Sequence, residues 1–280
     1  MAFPTAESAE AFATAYDAVL ARWPVEVEPL DVPSQFGTTR LHVCGPPDAT
    51  PLVLLHGAGV TSATWFANAE ALSRDHRVYA IDRLGDAGRS VPDGRAISSL
   101  ADLLAWLDEV LDHLDLEEVQ LCGHSYGAWI ATHFALHSIR VRRLALLDPT
   151  GCFARWKPGY LLRAVPLLRP TPERTRDFVM WETGGVGVDP GVLELQARAA
   201  LFRGSKVIVR PNPRPEQLTV PTLVLAAENS RAHDIRRLIA AARRLVPNVE
   251  TAVVGGVSHH AMPMANADEL NRRLVRFFAK

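Results

Sequence analysis

Six short apolar runs punctuate the chain: Pro51–Leu55, Arg77–Ile81, Val119–Cys122, Leu144–Leu147, Thr222–Ala226 and Thr251–Val254. They lack the polar alternation of a strand with one wet face, so they read as parallel strands covered on both sides. Helical patterns lie between them. Leu100, Leu103, Leu104, Leu107, Leu111 and Leu114 recur at spacings of three and four and share one face. Ala232–Val246 and Ala267–Phe278 repeat that texture. Strand alternating with helix implies right-handed crossovers and an α/β fold with a mostly parallel, doubly wound sheet. A hairpin is expected ahead of it, at Val25–Val32 and Thr38–Val43, turning at Gln35-Phe36-Gly37.

A chain of 280 residues suits one large α/β domain, or a core with a small insertion. Its 30 basic and 31 acidic residues nearly cancel. No global field draws it to nucleic acid or to an anionic membrane, so neither is expected as a partner. No apolar run approaches the roughly 20 residues that span a bilayer. Met1 to Leu20 carries Glu7, Glu10 and Asp17 and has no basic start ahead of an apolar block. It reads as an amphipathic helix and not as a signal peptide. Cys44, Cys122 and Cys152 offer no paired framework. Cys122 falls in a strand pattern and reads as a buried thiol, which makes a reducing cytoplasm the simplest home.

From about Thr150 to Val220 the rhythm breaks. Prolines are frequent, Trp156 and Trp181 appear, and basic residues outnumber acidic ones. An insertion here, after the sixth strand, is well sited to cover an active centre. The expected organisation is a core of residues 1–149 and 221–280 with a helical cap at 150–220. The plainer alternative is a surface excursion that only shields the sheet. Trp156 and Trp181 are candidates for binding an apolar or aromatic part of a substrate, or else form the core of the cap. Arg210–Pro215 reads as an extended connector.

Gly123-His124-Ser125-Tyr126-Gly127 follows the run Val119–Cys122 and precedes the helical pattern Ala128-Trp129-Ile130-Ala131-Thr132. Strand, tight turn and helix in that order form a nucleophile elbow. The serine must sit in a strained backbone conformation with its oxygen projecting from the sheet edge. Strand and helix then nearly touch two residues either side of it, where only glycine fits. The helix N-terminus turns free N–H groups toward the site and favours developing negative charge. Upstream, Leu52-Val53-Leu54-Leu55 runs into His56-Gly57-Ala58-Gly59. In an elbow of this kind that loop gives one oxyanion N–H and the residue after the nucleophile gives the other. Ala58, with Val60 as an alternative, and Tyr126 are the candidates. His56 is expected to order the loop.

A general base belongs in the loop after the last strand, Gly255-Gly256-Val257-Ser258-His259-His260. Counting from the strand favours His259; counting back from the C-terminal helix favours His260. The strand is the more rigid reference, so His259 is preferred. No third ligand accompanies this pair, and His133 and His137 lack the glutamate of a zinc-protease motif, so no metal and no cofactor are expected. The two read as helix surface or core contacts. The acid that holds the imidazole should follow the next-to-last strand, but Ser230 stands at that position. The substitutes, in order of preference, are Asp148, Glu228 and Asp234. Asp148 ends the preceding strand, Glu228 lies two residues from the vacant address, and Asp234 sits at a helix start. A dyad without an acid is the remaining option.

At these residues the chain resembles the α/β-hydrolase superfamily, and more narrowly bacterial carboxylesterases that hydrolyse arylpropionate esters. Further carriers of the likeness are Trp23-Pro24-Val25, Phe36-Gly37-Thr38-Thr39, Trp65, Ala80-Ile81-Asp82 followed by Gly85-Asp86, and Val275-Arg276-Phe277-Phe278. The resemblance implies Ser125 as nucleophile, His259 as base, and Ala58 with Tyr126 as oxyanion donors. Those esterases have a carboxylate where this chain has Ser230, and the strand before their cap need not end in Asp as here at Asp148. A relocated acid would explain both departures. The implied activity is cofactor-free hydrolysis of a carboxylic ester, or of a lactone or thioester, on a small, partly apolar substrate through an acyl-enzyme. The alternatives are acyl transfer or cyclisation by the same serine, and a ligand-binding homologue without catalysis.

Overall fold

The computed structural model describes residues 2–280. The early hairpin supplies β1 (Glu28–Ser34) and β2 (Gly37–Cys44), antiparallel about a two-residue turn with Ser34 opposite Gly37. β1 starts later than the expected Val25, because Val25 and Val27 pack against the core from outside the sheet. The six apolar runs become β3 (Thr50–Leu55), β4 (His76–Ile81), β5 (Val119–His124), β6 (Val141–Leu147), β7 (Thr222–Ala227) and β8 (Val249–Val254). The sheet order is β1-β2-β4-β3-β5-β6-β7-β8, parallel from β4 onward.

The chain steps from β3 outward to β4, then returns across β3 to β5. That reversal leaves a crevice beyond the carboxyl ends of β3 and β5, the usual ligand position in open α/β sheets. The register brings the strand ends level: Leu55 lies beside Gly123, and His124 beside Leu147.

Successive strand residues point to opposite faces, so the sheet needs two cores. On one face α3 (Leu100–His113), α4 (Tyr126–His137) and α8 (Ile235–Leu245) bury Leu103, Trp106, Phe134 and Leu238 against Val53, Leu121, Leu146 and Val224. On the other, α2 (Phe66–Ser73) and α9 (Ala267–Phe278) bury Leu72, Leu270 and Phe277 against Leu52, Leu54 and Leu225. α8 starts three residues later than its pattern indicated, with Asp234 as N-cap accepting from the Arg237 N–H. Ala232 and His233 are fully buried ahead of it.

Between β6 and β7 lie α5 (Pro158–Ala164), α6 (Pro172–Thr183) and α7 (Pro190–Ala199). Each opens on a proline, whose fixed φ and missing N–H suit a first helical turn. The N-terminal helix α1 (Ala6–Leu20) lays Phe12, Tyr16 and Val19 against Val192, Leu195 and Ala199 of α7. Its apolar stripe thus serves the insertion. All three cysteines are buried and unpaired, and among the described residues no helix is long and apolar enough to cross a membrane.

Candidate active site

Ser125 joins β5 to α4 with φ 54° and ψ −112°, a region that costs a non-glycine residue on the order of 1–3 kcal/mol. The reason for its flanking glycines is visible. A β-carbon on Gly127 would lie 2.6 Å from the His56 carbonyl oxygen, and one on Gly123 would lie 2.6 Å from the Ala128 nitrogen. The turn is anchored where the Ser125 N–H donates to the Leu147 carbonyl at 2.9 Å.

Ser125 Oγ lies 2.8 Å from His259 Nε2, and His259 Nδ1 lies 2.6 Å from Asp148 Oδ2. All three residues are buried. Burial opposes ionisation of Asp148, but the hydrogen bond and charge of His259, with lesser help from His233 and the Ala227 N–H, hold its pKa below the usual carboxylate value. An ionised carboxylate only accepts, so Nδ1 carries the proton and Nε2 is free to accept from Ser125. Burial likewise opposes protonation of His259; Asp148 first and Glu182 second outweigh it and raise its pKa.

Asp148 also has a positive φ, 39°, at the end of β6. Its other partners come from β7 and the turn beyond: the Ala227 N–H at 3.2 Å and the Ser230 hydroxyl at 2.9 Å. The hydroxyl at the address expected for the acid therefore donates to the carboxylate that stands one strand away. Glu228 accepts from the Gly256 N–H at 2.8 Å on the exposed side of the turn, and Asp234 caps α8. Neither is brought to His259.

His260 is turned away from Ser125 onto Glu182 of α6, with 3.2 Å between Nδ1 and Oε2. Glu182 itself is buried and accepts backbone N–H groups of Arg231, His259 and His260 at 3.0–3.2 Å. Burial opposes its charge, yet the hydrogen bond and charge of His260, with help from the charge of His259 and the His260 N–H, hold its pKa down at about 2. Nothing in the sequence singled it out, because no motif spacing links α6 to the histidine loop. His124 bonds from Nε2 to the His259 carbonyl at 3.0 Å; burial, reinforced by His259, pushes its pKa down to about 3, so it stays a neutral prop.

Ala58 and Tyr126 flank Ser125. Among the described residues neither backbone N–H donates to a protein acceptor. His56 orders the first loop as expected: its Nδ1 donates to the Gly57 carbonyl at 2.8 Å, and its Nε2 accepts from the Arg83 N–H at 3.0 Å. Tyr126 is pinned by stacking on Trp129 and by the Ile208 N–H donating to its hydroxyl. His133 meets the Pro211 carbonyl, a contact away from its own helix, and His137 meets the His133 carbonyl one turn back on α4.

With the elbow, the strand order and the histidine loop in place, comparison with known proteins identifies the fold family. A model of the alpha/beta hydrolase family matches residues 52–273. The chain belongs to the α/β-hydrolase family. Carboxylesterase YbfK of Bacillus subtilis is 30% identical over 99% of this chain and 96% of its own length. The uncharacterized carboxylesterase nap of the same organism is 29% identical over 94% and 90%. Among solved structures, carboxylesterase CesB (YbfK) superposes with a TM-score of 0.90 at 29% identity, covering 97% of this chain and 98% of that one. Naproxen esterase, carboxylesterase NP, gives 0.87 at 28% identity, covering 98% and 99%.

In this α/β hydrolase a small cavity opens over Ser125. Gly57, Ala58, Val60 and Thr64 form one wall, and Gln196, His260, Met262, Pro263 and Met264 the other. Trp156 and Trp181 are not among its lining residues. Trp156 stacks on Tyr160 at 4.9 Å and leans on His233 and His259, while Trp181 packs on Phe178 under Arg231. They form an aromatic cluster behind the histidine loop. The insertion's contribution to the cavity is Gln196, from α7.

Proposed function

We propose that the chain is a serine carboxylesterase in which Ser125, His259 and Asp148 form the catalytic triad, with oxyanion donors at Ala58 and Tyr126. The observation that carries the reading is the unbroken line from Ser125 Oγ to His259 Nε2 and from His259 Nδ1 to Asp148. His259 accepts the hydroxyl proton as Ser125 attacks the ester carbonyl. The two N–H groups receive the oxyanion of the tetrahedral intermediate, and His259 then protonates the departing alcohol. Water clears the acyl-enzyme by the same steps. Asp148 keeps the tautomer and steadies the imidazolium without itself taking a proton.

Residues 150–220 serve as a cap over a core of 1–149 and 221–280. Glu182 on the histidine loop and Gln196 in the cavity wall support this. Val60, Met262, Pro263 and Met264 suit a small, partly apolar acyl or alcohol group, and Gln196 is an amide placed to meet a polar atom on it. Three unpaired thiols fit a reducing compartment, the cytoplasm.

Titration with a fluorophosphonate probe and turnover of a short p-nitrophenyl ester test this. Wild type should label once per chain and turn over; Ser125→Ala should do neither. Unlabelled, inactive wild type beside a labelled control esterase would overturn the assignment.

A further inference from the structure

His233 is a buried group that the proposed hydrolysis leaves unused. It is fully inaccessible, and among the described residues neither ring nitrogen makes a hydrogen bond. The Arg155 carbonyl faces the ring and favours its protonation, but burial dominates and keeps the imidazole neutral. A neutral imidazole presents a nitrogen lone pair, and here no donor meets it. Trp156 lies against the ring, with 4.8 Å between centroids, and holds it in place.

One nitrogen of this ring, a carboxylate oxygen of Asp148 and a ring nitrogen of His259 all lie within 4.8 Å of one another. Two imidazoles and a carboxylate are the donor set favoured by zinc and its first-row neighbours. Donors about 2.1 Å from a tetrahedral ion stand about 3.4 Å apart, so side-chain rotations must open the 2.6 Å edge between His259 Nδ1 and Asp148 by about 0.8 Å and close the other edges by at most about 1.4 Å. The three protein donors leave a fourth tetrahedral position for a water molecule.

We propose that Asp148, His233 and His259 form an inhibitory site for Zn²⁺ or a similar imidazole-preferring divalent cation. The ion takes His259 at Nδ1, the nitrogen that otherwise donates to Asp148. The ring's proton then resides on Nε2, so no net proton leaves the neutral imidazole. Nε2–H donates to Ser125 Oγ and can no longer accept its proton, and the base is lost. Ion binding and catalysis thus compete for one tautomer. The inhibitory consequence rests on the hydrolase reading above; the binding does not.

Binding is measured on Ser125→Ala by competition with a chromogenic chelator for Zn²⁺, and inhibition on the otherwise wild-type chain with a p-nitrophenyl ester in zinc-buffered solution. One Zn²⁺ per chain is expected. His233→Ala in either background should weaken binding at least tenfold, and should raise by the same factor the free zinc needed to halve that variant's own metal-free rate. His233→Gln, which keeps the volume, covers a fold defect in the alanine variant, and His113→Ala on the exposed end of α3 should change neither value. No stoichiometric binding, or binding unaltered by both His233 changes, overturns the site. Zinc binding that depends on His233 in a chain that never hydrolyses esters would uphold the site and overturn the hydrolase reading instead.

Discussion

Asp148 answers to two donors at once, the imidazole of His259 and the hydroxyl of Ser230. Asp148→Asn should therefore lower kcat by about a thousandfold to ten-thousandfold, because an amide can stabilise the wrong imidazole tautomer and carries no charge. Glu228→Gln should stay within about twofold, and stopped assays on a p-nitrophenyl ester compare the two. Ser230 makes a sharper case. Ser230→Ala removes one hydrogen bond from a carboxylate that keeps its other partners, so kcat should fall only about threefold to tenfold. Ser230→Asp places a second carboxylate beside the first. The two cannot both stay ionised, and one would take a proton and cease to orient His259. Ser230→Asp should thus be the more damaging, although the esterases this chain resembles carry an acid at that address. The acid limb of kcat/KM should lie above the ordinary histidine value, since His259 must be neutral to act and Asp148 raises its pKa. A limb below about 6.5 would contradict that pairing. Ser125 was legible in the sequence because an elbow is a local event of five consecutive residues. The candidate acid was legible only as a ranking, because its place depends on which strand lies beside which: β6 and β7 are neighbours, so Asp148 after β6 meets position 230 in the turn after β7, whereas Glu228 between them turns to the Gly256 N–H.

Elements were legible where one period governs them. The apolar runs became strands with ends displaced by a few residues at most, and Ala267–Phe278 became α9 with both ends as read. The insertion resisted because its prolines look like breakers when they open helices instead, and because its helices have no common sheet to face. The attachments of α1 to α7 and of α6 to the histidine loop are tertiary events with no periodic trace. The elbow gives an element-scale prediction. A methyl group at Gly127 would press on the carbonyl oxygens of Leu55, the last residue of β3, and of His56 just beyond it, and the first cannot move without moving the sheet. Gly127→Ala should cost several kcal/mol of stability and nearly all activity. A methyl at Gly59, which meets nothing within 4 Å but sits at φ 72°, should cost only about 1 kcal/mol through backbone strain. Urea midpoints of the two variants, read by circular dichroism, compare them directly.

At the scale of the whole molecule, one carboxylate bolts the insertion to the core. Glu182 rides on α6, yet among the described residues every hydrogen bond it accepts comes from the loops after β7 and β8. Its pKa falls from 4.5 to about 2 on folding. At about 1.4 kcal/mol for each pH unit, that is on the order of 3 kcal/mol favouring the folded state wherever the unfolded chain is ionised, above pH 4.5. A depressed carboxyl pKa means the contribution is complete near neutrality and is lost as pH falls toward the folded value. Glu182→Gln keeps the shape and one acceptor, but its amide nitrogen would face two donors of His260. The variant should be less stable than wild type by about 2–3 kcal/mol near pH 7, and the gap should narrow to less than half near pH 3. His124 and His233, whose pKa values burial lowers to about 3 and about 4, weaken both proteins in acid alike and so cancel from the comparison. Sucrose at equal concentration stabilises both folded states. Urea midpoints at the two pH values decide the matter. A gap equal at both would mean that Glu182 acts through shape and not charge. No gap at neutrality would mean that the insertion is held by α1 and the aromatic cluster alone.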